Sequence, residues 1–125
     1  MKKSIKIITI TIIILLVIFI ISIPFVNDYT AANISKKIEK IALPDDTTYI
    51  ESISRAGKMV GNGNGMQYYG AIRIESGLTI DEIEEYYSEC SDLKIEVEEQ
   101  DDNTYLVYSW GKGIKPFNIL DIRGH

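Results

Sequence analysis

Residues 7–26 read IITITIIILLVIFIISIPFV, and the placement of this run decides how the remainder of the chain can fold. Ten of the twenty are Ile, and Leu15, Leu16, Val17, Phe19, Phe25 and Val26 bring the strongly apolar set to sixteen. At about 1.5 Å per residue a helix of this length is about 30 Å long, which is the thickness of a bilayer's hydrocarbon core. A helix in a soluble core carries polar residues along one face. Here Thr9, Thr11, Ser22 and Pro24 are the sole interruptions, and they form no such face. β-branched residues lower helix propensity in water, but lipid offers the backbone no hydrogen-bond partner except itself, so a helix is expected. Pro24 falls near the end of the run, where a kink or a stop is tolerated.

Lys2, Lys3 and Lys6 precede the run and read as a cytoplasmic flank, which places the C-terminal bulk outside the cytoplasm. Lys36, Lys37 and Lys40 follow it at a greater distance and act as a counter-signal. A cleaved signal peptide is the rival reading, with small residues at Thr30-Ala31-Ala32; it would release a small secreted α+β protein. The apolar stretch exceeds the usual length of a signal peptide's core, which favours a retained anchor. The expected organisation is a basic tail over 1–6, a transmembrane helix over 7–26, a juxtamembrane helix over 27–44 and an extracytoplasmic α+β domain over 45–125.

The chain has 13 basic and 18 acidic residues. Setting aside Lys2, Lys3 and Lys6 leaves ten basic against eighteen acidic, so the segment after the run is near −8. Such a balance gives no generic attraction for nucleic acid. One Cys cannot close an intramolecular disulfide, so stability is expected from packing. Cys90 is expected on the buried face of a helix. The one His is His125, at the terminus where order is least expected, so a Cys–His catalytic pair is not anticipated.

Downstream of the run, residues 29–43 carry Ile34, Ile38, Ile41 and Ala42 on one stripe, with Asn33 as a candidate N-cap and Pro44 as the stop. Residues 47–60 and 66–75 read as two strands around Gly61-Asn62-Gly63-Asn64-Gly65, a tight hairpin loop whose residues accept positive φ. In the second strand Met66, Tyr68, Gly70, Ile72 and Ile74 share one face, and Gln67, Tyr69, Ala71, Arg73 and Glu75 the other. Thr79-Ile80-Asp81-Glu82 is a capping box that starts a helix, with Leu78 and Ile83 placed as a hydrophobic staple. Ile80, Ile83, Tyr87 and Cys90 fall on one side of it. Leu93, Ile95 and Val97 alternate in a third strand, residues 104–110 form its partner, and residues 114–122 are read as a short last strand limited by Pro116. The fold class is α+β: an αββαββ domain with an antiparallel sheet and helices packed on one face. A circularly permuted ferredoxin-like fold has the same element order.

No constellation of catalytic residues, metal ligands or cofactor motif stands out. The Gly61–Gly65 loop lacks the Lys-Ser/Thr pair of a phosphate loop. Asp45-Asp46 and Asp101-Asp102-Asn103 lack the ligand spacing of a calcium loop. The candidate partner interface comprises the aromatic set Tyr69, Tyr108 and Trp110, the acidic helix residues Glu82, Glu85 and Glu89, and Asn62 and Asn64 at the hairpin tip. The stretch from Gly61 to Ile72, GNGNGMQYYGAI, followed by the helix over 78–87, resembles uncharacterised small single-pass membrane-anchored proteins of Gram-positive bacteria. That resemblance carries over no catalytic or binding residue. The expected function is a non-enzymatic module, held in the lipid bilayer through residues 7–26, that binds another protein or copies of itself. A membrane-tethered immunity or regulatory protein is the alternative.

Overall fold

The computed structural model describes residues 1–59 and 65–124. Its first element is one helix, α1 (Lys2–Glu39), 38 residues long, which runs through Pro24 without a break. At about 1.5 Å per residue it is about 57 Å long; the apolar run ends about two-thirds of the way along it, and the last third continues past the run. By length and composition α1 can cross a membrane. Then follow β1 (Thr47–Gly57), β2 (Gln67–Ser76), α2 (Ile80–Cys90), β3 (Glu96–Asp101), β4 (Thr104–Gly111), the four-residue helix α3 (Phe117–Leu120) and a 3-10 turn over Ile122–Gly124. The strands make one antiparallel sheet in the order β1-β2-β4-β3. This is the order that a circularly permuted ferredoxin-like chain has.

The residues of α1 beyond the run build the domain rather than preceding it. Ala31, Ile34 and Ile38 are buried against Ala56, Tyr68, Ile72, Ile74, Tyr105 and Val107 of the sheet, with Ile83 and Tyr87 of α2 in the same cluster. Asn33 therefore lies inside the helix instead of capping it. Packing of the Ala31–Ile34–Ile38 stripe holds the helix through positions where local signals favoured a start.

Two glycines let α1 sit close to the strands. A Cβ on Gly70 would stand 2.5 Å from both the Ile34 Cβ and the Ser35 backbone nitrogen, and one on Gly111 2.5 Å from the Ile34 Cδ1. In that close approach the Ser35 hydroxyl donates to the Ile53 carbonyl of β1 (2.6 Å) and accepts from the Ala71 N–H of β2 (3.2 Å), so the helix is hydrogen-bonded into the ladder.

α2 begins as its capping box requires. The Thr79 hydroxyl accepts from the Glu82 N–H (3.2 Å), and the Glu82 carboxylate accepts from the Thr79 N–H (3.3 Å). Cys90 is exposed, contrary to the helical-stripe expectation. It is the last residue of α2, one turn beyond Tyr87, and the helix ends without turning it into the core. Tyr87 is fully buried, and its hydroxyl has no hydrogen-bond partner among the described residues. Burial pushes that hydroxyl's pKa up to about 12. Removing an unsatisfied buried hydroxyl while keeping the ring relieves a desolvation cost. Tyr87→Phe is accordingly expected to stabilise the chain by about 1 kcal/mol, read as a rise of several degrees in the thermal midpoint. A fall would show that the hydroxyl has a partner.

The last segment differs from the short strand expected over 114–122. Residues 117–124 form α3 and the 3-10 turn instead. The reason lies in side-chain capture by α1. Asn27, fully buried, donates through Nδ2 to the Phe117 carbonyl and to the Asp121 carboxylate, both at 2.9 Å, and accepts from the Tyr68 hydroxyl at 2.6 Å.

Candidate functional site

Strand parity places the candidate aromatic residues. In β2, Gly70 faces α1, so Tyr69, Ala71 and Arg73 face the other way. Pairing of Tyr69 with Trp110, Ala71 with Tyr108 and Arg73 with Leu106 puts all six on one surface of the sheet. Ile53 of β1 joins them opposite Ala71, and Glu96 and Glu98 of β3 join opposite Tyr108 and Leu106. Both α1 and α2 contribute to the core on the opposite side, so among the described residues neither of them covers this face.

The aromatic set expected from sequence is brought together there. The Tyr69 ring lies 5.5 Å from Tyr108 and 5.1 Å, edge-on, from Trp110. Such tilted contacts are the favoured geometry for aromatic pairs. Trp110 remains 42% exposed, while Tyr69 and Tyr108 are half-buried. Burial pushes the Tyr108 hydroxyl up to about 12, helped by its hydrogen bond to Glu96 and the negative charge of Glu96 and Glu98. Tyr69 is raised mainly by burial, with Glu98 adding and Arg73 opposing. Both phenols therefore stay neutral donors at physiological pH. Polar residues rim the patch: Arg73 is ion-paired with Glu51 and its Nε donates to Gln100 (3.0 Å).

The acidic candidates lie elsewhere. Glu82, Glu85 and Glu89 are on the exposed side of α2, in the helical layer, and line a shallow groove of about 430 Å³ with Leu43, Pro44 and Tyr86. They do not join the aromatic face, because the sheet separates the two surfaces. Asn62 and Asn64 lie outside the described residues. No group of three or more His, Cys, Asp and Glu converges among the described residues. Ile53, Leu106 and Glu96 were missed as members of the face. Alternation signalled the parity of each strand, but which strand neighbours which needed the register.

A second polar constellation, at the base of the domain, was not anticipated. The Arg123 guanidinium donates to Asp121 (2.6 Å), to Asp28 (2.7 Å) and to the Pro24 carbonyl (3.3 Å). Asp121 is buried, and Arg123, with further help from Asn27, holds its carboxyl well below the usual carboxylate range. A carboxylate with a depressed folded pKa contributes stability that is complete above its unfolded value, about 4, and is lost as pH falls through the folded value. At pH 7, Asp121→Asn is expected to cost about 2 kcal/mol. The gap to the parent chain should close as pH falls from about 5 to about 2. Thermal midpoints measured across that range check this; a pH-independent gap would contradict it.

No protein-family model matches the chain, and no curated protein or solved structure does either.

Proposed function

We propose that this chain is a membrane-anchored, non-enzymatic interaction module whose sheet domain stands outside the cytoplasm and binds a protein through the bare face of the sheet. The observation that carries this is the one-sided layering: helices cover one face, and Tyr69, Tyr108 and Trp110 cluster on the other. An exposed Trp packed edge-on against Tyr69, which in turn packs on Tyr108, leaves a rigid apolar centre of the kind that anchors protein partners.

The anchor rests on the exposed apolar run of α1 and on its Lys2, Lys3 and Lys6 flank. Retention of the anchor is supported by packing. Cleavage after Ala32 would remove Asn27 and Ala31, both fully buried, and with them the hydrogen bonds that hold Tyr68 and Asp121.

The test is site-specific photocrosslinking in intact cells. With the photoreactive residue in place of Trp110, a discrete higher-mass product is expected. With it in place of Glu89, on the opposite layer, none is expected. Monomer alone from the Trp110 position across growth conditions would count against the proposal, as would equal products from both positions.

A further inference from the structure

We infer that the C-terminal segment over 114–122 is a second membrane contact, embedded in the interface of the same leaflet from which the domain emerges. This rests on the reading of residues 7–26 as a membrane span. Phe117 of α3 packs against Phe19, ring centroids 5.5 Å apart. Phe19 lies seven residues before the end of the apolar run, about 10 Å deeper along the helix axis than Val26. The backbone of the segment is tied to the end of the run, by Asn27, whose amide holds the Phe117 carbonyl, and by Arg123, which reaches back to the Pro24 carbonyl, while the Phe117 ring reaches down to Phe19. The segment therefore lies beside the last turns of the apolar run, where the proposed span leaves the hydrocarbon core.

The exposed residues of the segment suit lipid. Ile114 is 52% exposed, Ile119 56%, Leu120 47% and Ile122 85%. On α1, Ile20, Ile21 and Phe25, in the turns next to Phe19, are exposed as well. Lys112 and Lys115 lie at the start of the segment, whereas the domain as a whole is acidic; Arg123 at its end is taken up by Asp121 and Asp28. Exposed apolar residues beside lysines are the pattern of a segment lying in the headgroup–acyl boundary, with Lys112 and Lys115 toward anionic headgroups. A four-residue helix suffices, because α1 supplies the anchoring and the segment needs only to lie beside it. The domain would then have two points of attachment to the bilayer and a fixed tilt, which holds the bare sheet face in one orientation relative to the membrane.

The experiment places an environment-sensitive fluorophore on single cysteines in the full chain, with Cys90→Ser as background, reconstituted in phosphatidylcholine–phosphatidylglycerol vesicles. Ile119→Cys reports the segment, Ile12→Cys the span and Asp102→Cys the distal β3–β4 turn. Lipids brominated on the acyl chains are the quencher. Ile119→Cys is expected to emit blue-shifted from Asp102→Cys and to lose about half or more of its fluorescence to brominated lipid, as Ile12→Cys does. An Ile119→Cys signal as unquenched as that of Asp102→Cys, with Ile12→Cys quenched, would overturn the inference and leave the span standing. A blue shift without quenching would also overturn it, because protein, such as a second copy, would then cover the segment. Failure to quench Ile12→Cys would remove both the span and the inference.

Discussion

Gly70→Val is expected to destabilise the domain by about 3 kcal/mol or more, enough to lower the thermal midpoint of the solubilised chain by well over ten degrees. Local propensity argues the other way. Gly70 is in the middle of β2, and Val is a better strand former than Gly by up to about 1 kcal/mol. Packing decides against it. The added Cβ would meet the backbone nitrogen of Ser35 at 2.5 Å, and a helix backbone cannot step aside as a side chain can. α1 would have to lift from the sheet, loosening Ile34 and Ile38 and the Ser35 bonds to β1 and β2. Ser54, paired with Gly70 across β1 but exposed, provides the comparison: Ser54→Val should stay within about 0.5 kcal/mol of the parent. Equal midpoints for Gly70→Val and the parent would show that α1 does not sit on β2 as described.

Tyr68→Ala is expected to cost about 3–5 kcal/mol, with a further penalty for the partner it abandons. The side chain is 1% exposed and lies within the core cluster. Gly113 touches its hydroxyl end so closely that any side chain at 113 would collide with it. Its hydroxyl donates to Asn27, the first residue after the apolar run, so one side chain links the sheet, α1 and the C-terminal segment. Tyr68→Phe keeps the ring and loses the bond, so it should cost about 1–2 kcal/mol. Thermal unfolding separates the two variants. Limited proteolysis adds a local readout: Tyr68→Ala should release the 114–122 segment to protease before the rest of the domain. Similar costs for Phe and Ala would show that the hydrogen bond, and not the packed ring, is what matters.

Parts of this fold were legible in the amino-acid order because their causes are local. The capping box at Thr79 and Glu82 needs four residues, and it starts α2 where it stands. The alternation from Tyr68 to Ile74 comes from strand geometry alone, and it correctly assigned the two faces of β2. The same alternation put Tyr69 on a face apart from the core, and the cluster with Tyr108 and Trp110 follows once β4 is paired with β2.

What was not legible depends on distant partners. Continuity of α1 past Asn33 follows from the sheet packing on Ala31, Ile34 and Ile38. The helical turn at Phe117–Leu120 is set by Asn27, ninety residues earlier in the chain. A four-residue helix has no period for a pattern to reveal. Cys90 followed the apolar stripe of α2 by spacing, yet the helix ends there, so periodicity overstated the buried face by one turn. The acidic residues Glu82, Glu85 and Glu89 were grouped with the aromatic set by composition, while the sheet lies between them.

The exposure of Cys90 makes the most direct test simple, because the native thiol is the probe. Asn103, at the β3–β4 turn, is a poor site for an introduced Cys, since its φ of 62° favours Asn over most side chains. Intact cells expressing the chain are treated with a membrane-impermeant thiol reagent, with Cys90→Ser as the control, and the chain is recovered from the membrane fraction. A tether that holds the domain outside the cytoplasm predicts labelling of Cys90 in intact cells, at the level reached after lysis. Labelling that appears only on lysis, or recovery of the chain in the soluble fraction, would contradict it.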